Sequence, residues 1–281
     1  MKIKYLGTCA AEGWPGLFCN CKMCETARER GGRNVRTRSQ AIIFGGEDYE
    51  SLDDTLLIDL PPDTYLHCLQ YGLRLDKVSH LIVTHSHDDH FAPFELNYRG
   101  RWFANPTPNF PLNLHGNEHV KEVYDKTKDS LDAATGVVFH MADNFVPFKA
   151  GNFTVTPLVA LHDRSERCLI YMIEHGGKRM LYGNDTGIFP EETWEHISGK
   201  PFDLVSLDCT NCARKEGTNH MGLPDALEVR ERMEKIGCLK PETKFVLHHF
   251  SHNGGSCHDE MVEQAAVHDM DVSYDGGVWE F

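Results

Sequence analysis

The stretch THSHDDHF places His85, His87, Asp89 and His90 in an H-x-H-x-D-H pattern directly behind the apolar run HLIVT. Imidazoles at i and i+2 leave the end of a strand on the same side, so both reach one cation. The turn that follows swings Asp89 and His90 toward a second position nearby. Imidazole nitrogens with a carboxylate suit Zn²⁺, Mn²⁺ or Fe²⁺. The competing reading is a solvated loop with chance histidines, and the buried strand in front of the motif argues against it. Two ions need more ligands than this loop holds, so others are expected downstream at strand ends. Candidates stand in LVALHD (His162), LYGND (Asp185) and FVLHHF (His248 and His249), with Asp59 earlier in LLIDL. Each alone is ordinarily a hydrogen-bonded structural residue; their succession behind the motif gives them weight.

A second chemistry lies in LFCNCKMCETAR, where Cys19, Cys21 and Cys24 crowd three thiols together. A further pair, Cys209 and Cys212 in DCTNC, is a rival for any thiol-bound zinc, although no nearby pair completes a tetrahedron. The chain opens MKIKYLGT without a signal-peptide core, and no apolar run approaches the roughly 20 residues of a membrane-spanning helix. A cytoplasmic, reducing location is therefore expected, in which cysteines bind metal or are simply buried. The remaining cysteines default to apolar core.

The elements that must position these groups are legible as short apolar runs: KIKYL, QAIIF, TLLIDL, HLIVTH, LNLHG, FTVTPLVALH, CLIYMIEH, RMLYGND, FDLVSLD, KFVLHHF and DVSYDGG. Several are near-continuously apolar, the pattern of strands covered on both faces. Helices are predicted over PPDTYLHCLQYG, GNEHVKEVYDKTKDS and LPDALEVRERMEKIG. Strands without a helix after each one predict mixed sheets. FGGEDYESLDD and ANPTPNFP read as surface turns. With 281 residues and no linker or repeat, a single domain over 1–281 is the simplest organisation. The formal net charge of −14 lacks the basic footprint of a nucleic-acid binder. It leaves room for a small anionic substrate, because bound cations dominate the local field. The 17 histidines are the compositional sign of metal chemistry.

The order of Asp59, the H-x-H-x-D-H loop, His162, Asp185 and a last His resembles the metallo-β-lactamase superfamily, from YLGT to HHFSHN. The resemblance implies an α/β, αββα sandwich of two mixed sheets flanked by helices, with a dinuclear site at one edge. His85, His87 and His162 would hold one metal, and Asp89, His90 and His249 the other, with Asp185 bridging. Asp59 would orient ligand histidines from behind.

In HHFSHN a further histidine, His252, stands three residues after His249. Cys19, Cys21, Cys24 and His252 would form a closed Cys3His zinc site. It would tie an N-terminal loop around 9–31 to a C-terminal one. This pairing resembles the PhnP subgroup of cyclic-phosphate phosphodiesterases. It implies two catalytic Zn, Mn or Fe ions, one structural zinc, and a metal-bridging hydroxide aimed at a small cyclic or nucleotide-like phosphodiester.

His220, in TNHMGLPDAL, resembles that branch's additional histidine and is expected to contact phosphate or protonate the leaving oxygen. Asp89 would assist proton transfer only beside its role as ligand. A glyoxalase-II-like thioesterase or a lactonase uses the same site, and a non-catalytic zinc-stapled binding protein is a further alternative. A homodimer is expected only because dimers are common. Residues 91–145 and 203–220 depart from the subgroup, and both are expected to build much of the pocket wall.

Overall fold

The apolar runs become strands because their side chains are covered on two faces, and the computed structural model describes them over residues 1–128 and 135–281. In the first half they are β1 (Lys2–Gly7), β2 (Gln40–Phe44), β3 (Thr55–Ile58), β4 (His80–Ile82), β5 (Leu112–Gly116) and β6 (Val137–Met141). Next come β7 (Phe148–Ala150), β8 (Phe153–Val159), β9 (Leu169–His175) and β10 (Lys178–Gly183). The last are β11 (Phe202–Asp208), β12 (Leu239–His248), β13 (Asp271–Val272) and β14 (Val278–Glu280). Helices α1 (Lys22–Arg30), α2 (Thr64–Tyr71), α3 (Glu118–Lys128), α4 (Glu191–Ile197), α5 (Leu223–Lys235) and α6 (His258–Ala266) complete the elements. The helix expected over GNEHVKEVYDKTKDS coincides with α3, and its last two expected residues, 129–130, lie outside the described residues.

The strands form two seven-stranded sheets, β14-β1-β2-β3-β4-β5-β6 and β13-β12-β11-β10-β9-β8-β7. In the first, antiparallel pairing from β14 to β3 gives way to parallel pairing from β3 to β6. The second repeats this, antiparallel from β7 to β10 and parallel from β10 to β13. Parallel neighbours need crossover connections, and α2, α3, α4, α5 and α6 lie in those crossovers. The carboxyl ends of parallel strands are where α/β sheets place their ligands.

Ile3, Tyr5, Ile43 and Ile58 of one sheet pack with Phe153, Tyr171, Ile173 and Tyr182 of the other, all fully buried. α2 and α3 cover the outer face of the first sheet, with Val120 and Tyr124 over Leu81 and Leu114. α1, α4, α5 and α6 cover the second, where Trp194, Val229, Met233 and Met261 pack with Leu181, Val205 and Leu207. The architecture is the αββα sandwich expected from the sequence. Among the described residues no helix is long and apolar enough to cross a membrane.

Candidate metal centre

Three residues just past strand ends have left-handed backbone: Asp59 after β3 (φ 62°), Asp185 after β10 (φ 57°) and His249 after β12 (φ 60°). Non-glycine residues rarely adopt this conformation, and such strain clusters at functional sites. Here it turns each chain sharply as it leaves its strand, at positions the sequence singles out.

The loop behind β4 supplies His85, His87, Asp89 and His90, and residues after β8 supply His162. His85 Nε2 lies 3.0 Å from His87 Nδ1, and His162 Nε2 lies 3.3 Å from the same atom. These three form one convergent set, while Asp89, His90, Asp185 and His249 form another. In the second set, His90 Nε2 stands 3.3 Å from Asp89 Oδ2, 3.0 Å from Asp185 Oδ2 and 3.3 Å from His249 Nε2. Asp185 joins the two: its Oδ2 is also 3.3 Å from His85 Nε2, and its Oδ1 is 3.3 Å from His162 Nδ1.

Each histidine is held from behind. His85 Nδ1 meets Thr84 Oγ1 at 3.0 Å, His87 Nε2 meets Asp163 Oδ2 at 3.1 Å and His90 Nδ1 meets Asp59 Oδ2 at 2.8 Å. His249 Nδ1 meets Thr210 Oγ1 at 2.9 Å, and the Asn219 carbonyl lies 3.4 Å from His162 Nδ1. Asp59, fully buried, also accepts from the Thr84 backbone N–H at 2.8 Å.

A neutral imidazole has one N–H. Where it serves a partner behind, the nitrogens facing one another across the cluster are lone pairs. Asp185 Oδ1, moreover, is buried without a hydrogen-bond donor. Lone pairs and a carboxylate oxygen converging at about 3 Å repel unless cations lie among them. The residues present therefore fit divalent metal ions. The side chains differ in electrostatics: burial drives His85 well below the ordinary imidazole range. At His90 the same burial penalty is outweighed by Asp89 and Asp59, which raise it.

His220 is brought to the rim of this cluster. Its Nδ1 is 3.1 Å from Asp208 Oδ2 and 3.2 Å from Asp185 Oδ1. Against a burial penalty, Asp208 raises its pKa to about 9. Asp208 ends β11, is fully buried, and accepts backbone N–H bonds from Thr210 and Met221, each at 2.9 Å. Sequence reasoning missed both Asp208 and Thr210. The signal was present, since Asp208 ends an apolar strand as Asp59 and Asp185 follow theirs, but it lies beside the cysteines of DCTNC. Asp163 was missed too. Asp185, Asp208, His220 and His249 also form a convergent donor set.

Cys19, Cys21, Cys24 and His252 come together as a separate set. His252 Nδ1 lies 3.5 Å from Cys21 Sγ and 3.9 Å from Cys19 Sγ, and Cys24 Sγ accepts the Gly16 N–H at 3.3 Å. The segment is not loop throughout: Cys21 precedes the first turn of α1 and Cys24 is buried within it. Burial pushes the Cys24 thiol up to about 12. At Cys21 burial is outweighed by the Cys24 N–H and neighbouring thiols, and the pKa falls to about 6. Cys209 and Cys212 are fully buried and join no ligand set among the described residues. His248 is a satisfied core histidine, bonded to Ser39 and Ser273 hydroxyls at 3.0 Å each.

The cleft over the cluster has a volume of about 290 Å³. Besides the histidines and aspartates it is lined by Ala10, Ala11, Glu12, Thr210, Asn211, Ser251 and Asn253. The 203–220 segment contributes as expected, but described residues of 91–145 do not. The wall instead comes from residues 10–12, ahead of the Cys3His set.

A model of a beta-lactamase superfamily domain matches residues 55–250. The chain is 25% identical over 205 residues to coenzyme PQQ synthesis protein B of Methylobacterium radiotolerans, a match covering 65% of this chain and 64% of that protein. Its fold is similar to the crystal structure of a new diphosphatase from the PhnP family, at TM-score 0.76 and 20% identity over 100% of this chain and 98% of the other. Zn²⁺-bound PqqB from Methylobacterium extorquens gives TM-score 0.75 and 21% identity over 100% of both chains. With a family match across most of its length, the chain belongs to the beta-lactamase superfamily, and its two-sheet architecture is the metallo-β-lactamase fold.

Proposed function

We propose that the protein is a phosphodiesterase acting on a small cyclic or nucleotide-like phosphodiester with two divalent cations. His85, His87 and His162 would hold one ion, Asp89, His90 and His249 the other, and Asp185 would serve both. Such ions supply Lewis-acid stabilisation of developing negative charge and acidify water at neutral pH. The observation that carries the reading is the meeting of both donor sets at Asp185, with the Asp208–His220 pair beside it. His220 Nδ1–H donates to Asp208, which favours the imidazolium; its Nε2–H then gives its proton to the leaving oxygen, leaving a neutral ring with the remaining proton on Nδ1. Thr84, Asp59, Asp163 and Thr210 hold the ligand rings in place from behind. Cys19, Cys21, Cys24 and His252 would bind a third, structural zinc.

The formal net charge of −14 favours a small anionic substrate over a nucleic acid. The test is a substrate panel on the metal-loaded protein: bis(p-nitrophenyl) phosphate, a thioester and a lactone, in wild type and Asp185→Ala. Diester turnover that disappears in the variant is expected. Robust thioester or lactone turnover without diester turnover contradicts the proposal.

A further inference from the structure

Resting on that reading, we infer that Glu12 sets the substrate class: diesters whose second ester arm carries hydrogen-bond donors and no added negative charge. Among the described residues, apart from the aspartates and histidines of the two donor sets and His220, Glu12 is the charged side chain lining the cleft, and no Lys or Arg lines it. A site built for a second phosphate ordinarily supplies a guanidinium or ammonium. This one supplies a carboxylate.

Glu12 is held in place. Its Oε1 accepts the Ser251 hydroxyl and lies 3.5 Å from Asn253 Nδ2 and 3.6 Å from His252 Nε2. No hydrogen bond among the described residues engages Oε2. The backbone beneath it is fixed as well: Ala10 N–H donates to the Phe250 carbonyl at 3.0 Å and Gly13 N–H to Ala10 at 3.0 Å. The carboxylate therefore stays at the rim next to the residues that follow His249. Asn211, also in the lining, has its Nδ2 buried with no acceptor among the described residues. The fixed carboxylate accepts from a hydroxyl or amino donor on the arm, and the Asn211 N–H needs an acceptor, which a hydroxyl oxygen also supplies. The carboxylate repels a terminal phosphate brought alongside it.

The experiment compares p-nitrophenyl phosphodiesters whose other arm is methyl, glyceryl, aminoethyl or phosphoglyceryl, in wild type, Glu12→Gln and Glu12→Asp. Wild type is expected to favour the donor-bearing arms over methyl and to disfavour phosphoglyceryl by roughly tenfold or more in kcat/KM. Glu12→Gln should abolish most of that penalty, and Glu12→Asp should keep it. The ratio cancels any general loss from disturbing His252, and metal content checks that the thiol site stays filled. The glyceryl and aminoethyl arms decide between hydroxyl and amino recognition.

Independently of turnover, calorimetry with orthophosphate and pyrophosphate should show Glu12→Gln tightening pyrophosphate relative to orthophosphate by roughly tenfold. If both the arm ratios and the binding ratio are the same in Glu12→Gln as in wild type, the inference is wrong. A shifted binding ratio with no diester turned over would support the role of Glu12 while removing the phosphodiesterase reading.

Discussion

Asp59→Asn isolates the chemistry of a single buried carboxylate. Asp59 accepts from the Thr84 N–H at 2.8 Å and from the Thr84 hydroxyl at 3.1 Å, and meets His90 Nδ1 at 2.8 Å. Asparagine keeps the size, tolerates the φ of 62° and retains one acceptor oxygen. Its NH2 group must replace the other oxygen, so a donor faces either the Thr84 N–H or His90 Nδ1–H. A hydrogen bond to a charged group is worth roughly 1.5–3 kcal/mol, and here one is exchanged for an unmatched donor. Changing such a partner behind a metal ligand typically costs about 10–100-fold in metal affinity, or ~1.4–2.7 kcal/mol.

The loss should fall mainly on the set containing His90. His85 feels it only through Thr84, whose hydroxyl lies 3.0 Å from His85 Nδ1. Chelator competition, with metal content and kcat/KM measured alongside, reads each affinity. One ion should weaken by roughly 10–100-fold, with a smaller change at the second and none at the thiol set. Equal loss at every site, or a lower Tm with all affinities intact, refutes the assignment of Asp59.

Cys21→Ser should remove one metal ion per chain and lower stability by about 2 kcal/mol, a Tm shift of roughly 3–4 °C for a domain of this size. Ligands of the other two ions stay intact, and loss of turnover with zinc still on the thiols would contradict the staple. In Gly187→Ala the new methyl would overlap the Thr218 carbonyl oxygen and lie 2.6 Å from that of Gly217. It should push the His220 loop from Asp185, costing about 1–3 kcal/mol and much of the turnover; calorimetry and kcat read both. Asp203, nearly fully buried, pairs with Lys240 at 2.7 Å and Lys178 at 3.1 Å, and accepts the Arg179 N–H at 2.9 Å. Those partners outweigh burial and lower its pKa. Its stabilisation is therefore full above the unfolded carboxylate pKa of about 3.9 and is lost as pH falls through the depressed folded value. Asp203→Asn should lower Tm at pH 7, with the difference closing below pH about 4 in thermal melts.

The strands predicted from apolar runs are the doubly covered ones, such as β2, β3 and β11, in which every residue is buried. β6, β7 and β14 escaped because exposed residues interrupt them and they stand at or beside sheet edges. α1 was hidden by its own chemistry: KMCETARER reads as a ligand loop and buries only Cys24 and Ala27. The convergent histidine–aspartate cluster was legible because its members follow recognisable strands in a fixed order. Asp163, Asp208 and Thr210 were not, because they act on ligand or rim histidines and carry no spacing of their own. Glu12 was less legible still, since only the pairing of β1's exit with the turn after β12 brings it to the cleft.

The most direct test is to strip the protein of metal and add Co²⁺ stepwise, following thiolate and imidazole–carboxylate absorption together with diester turnover. About three ions per chain should bind, one of them on thiolates. Turnover should appear only as the His/Asp equivalents fill, and vanish in Asp185→Ala while the thiolate signal persists. Full turnover with the thiolate site alone occupied, or none with every site filled, would contradict the proposed function.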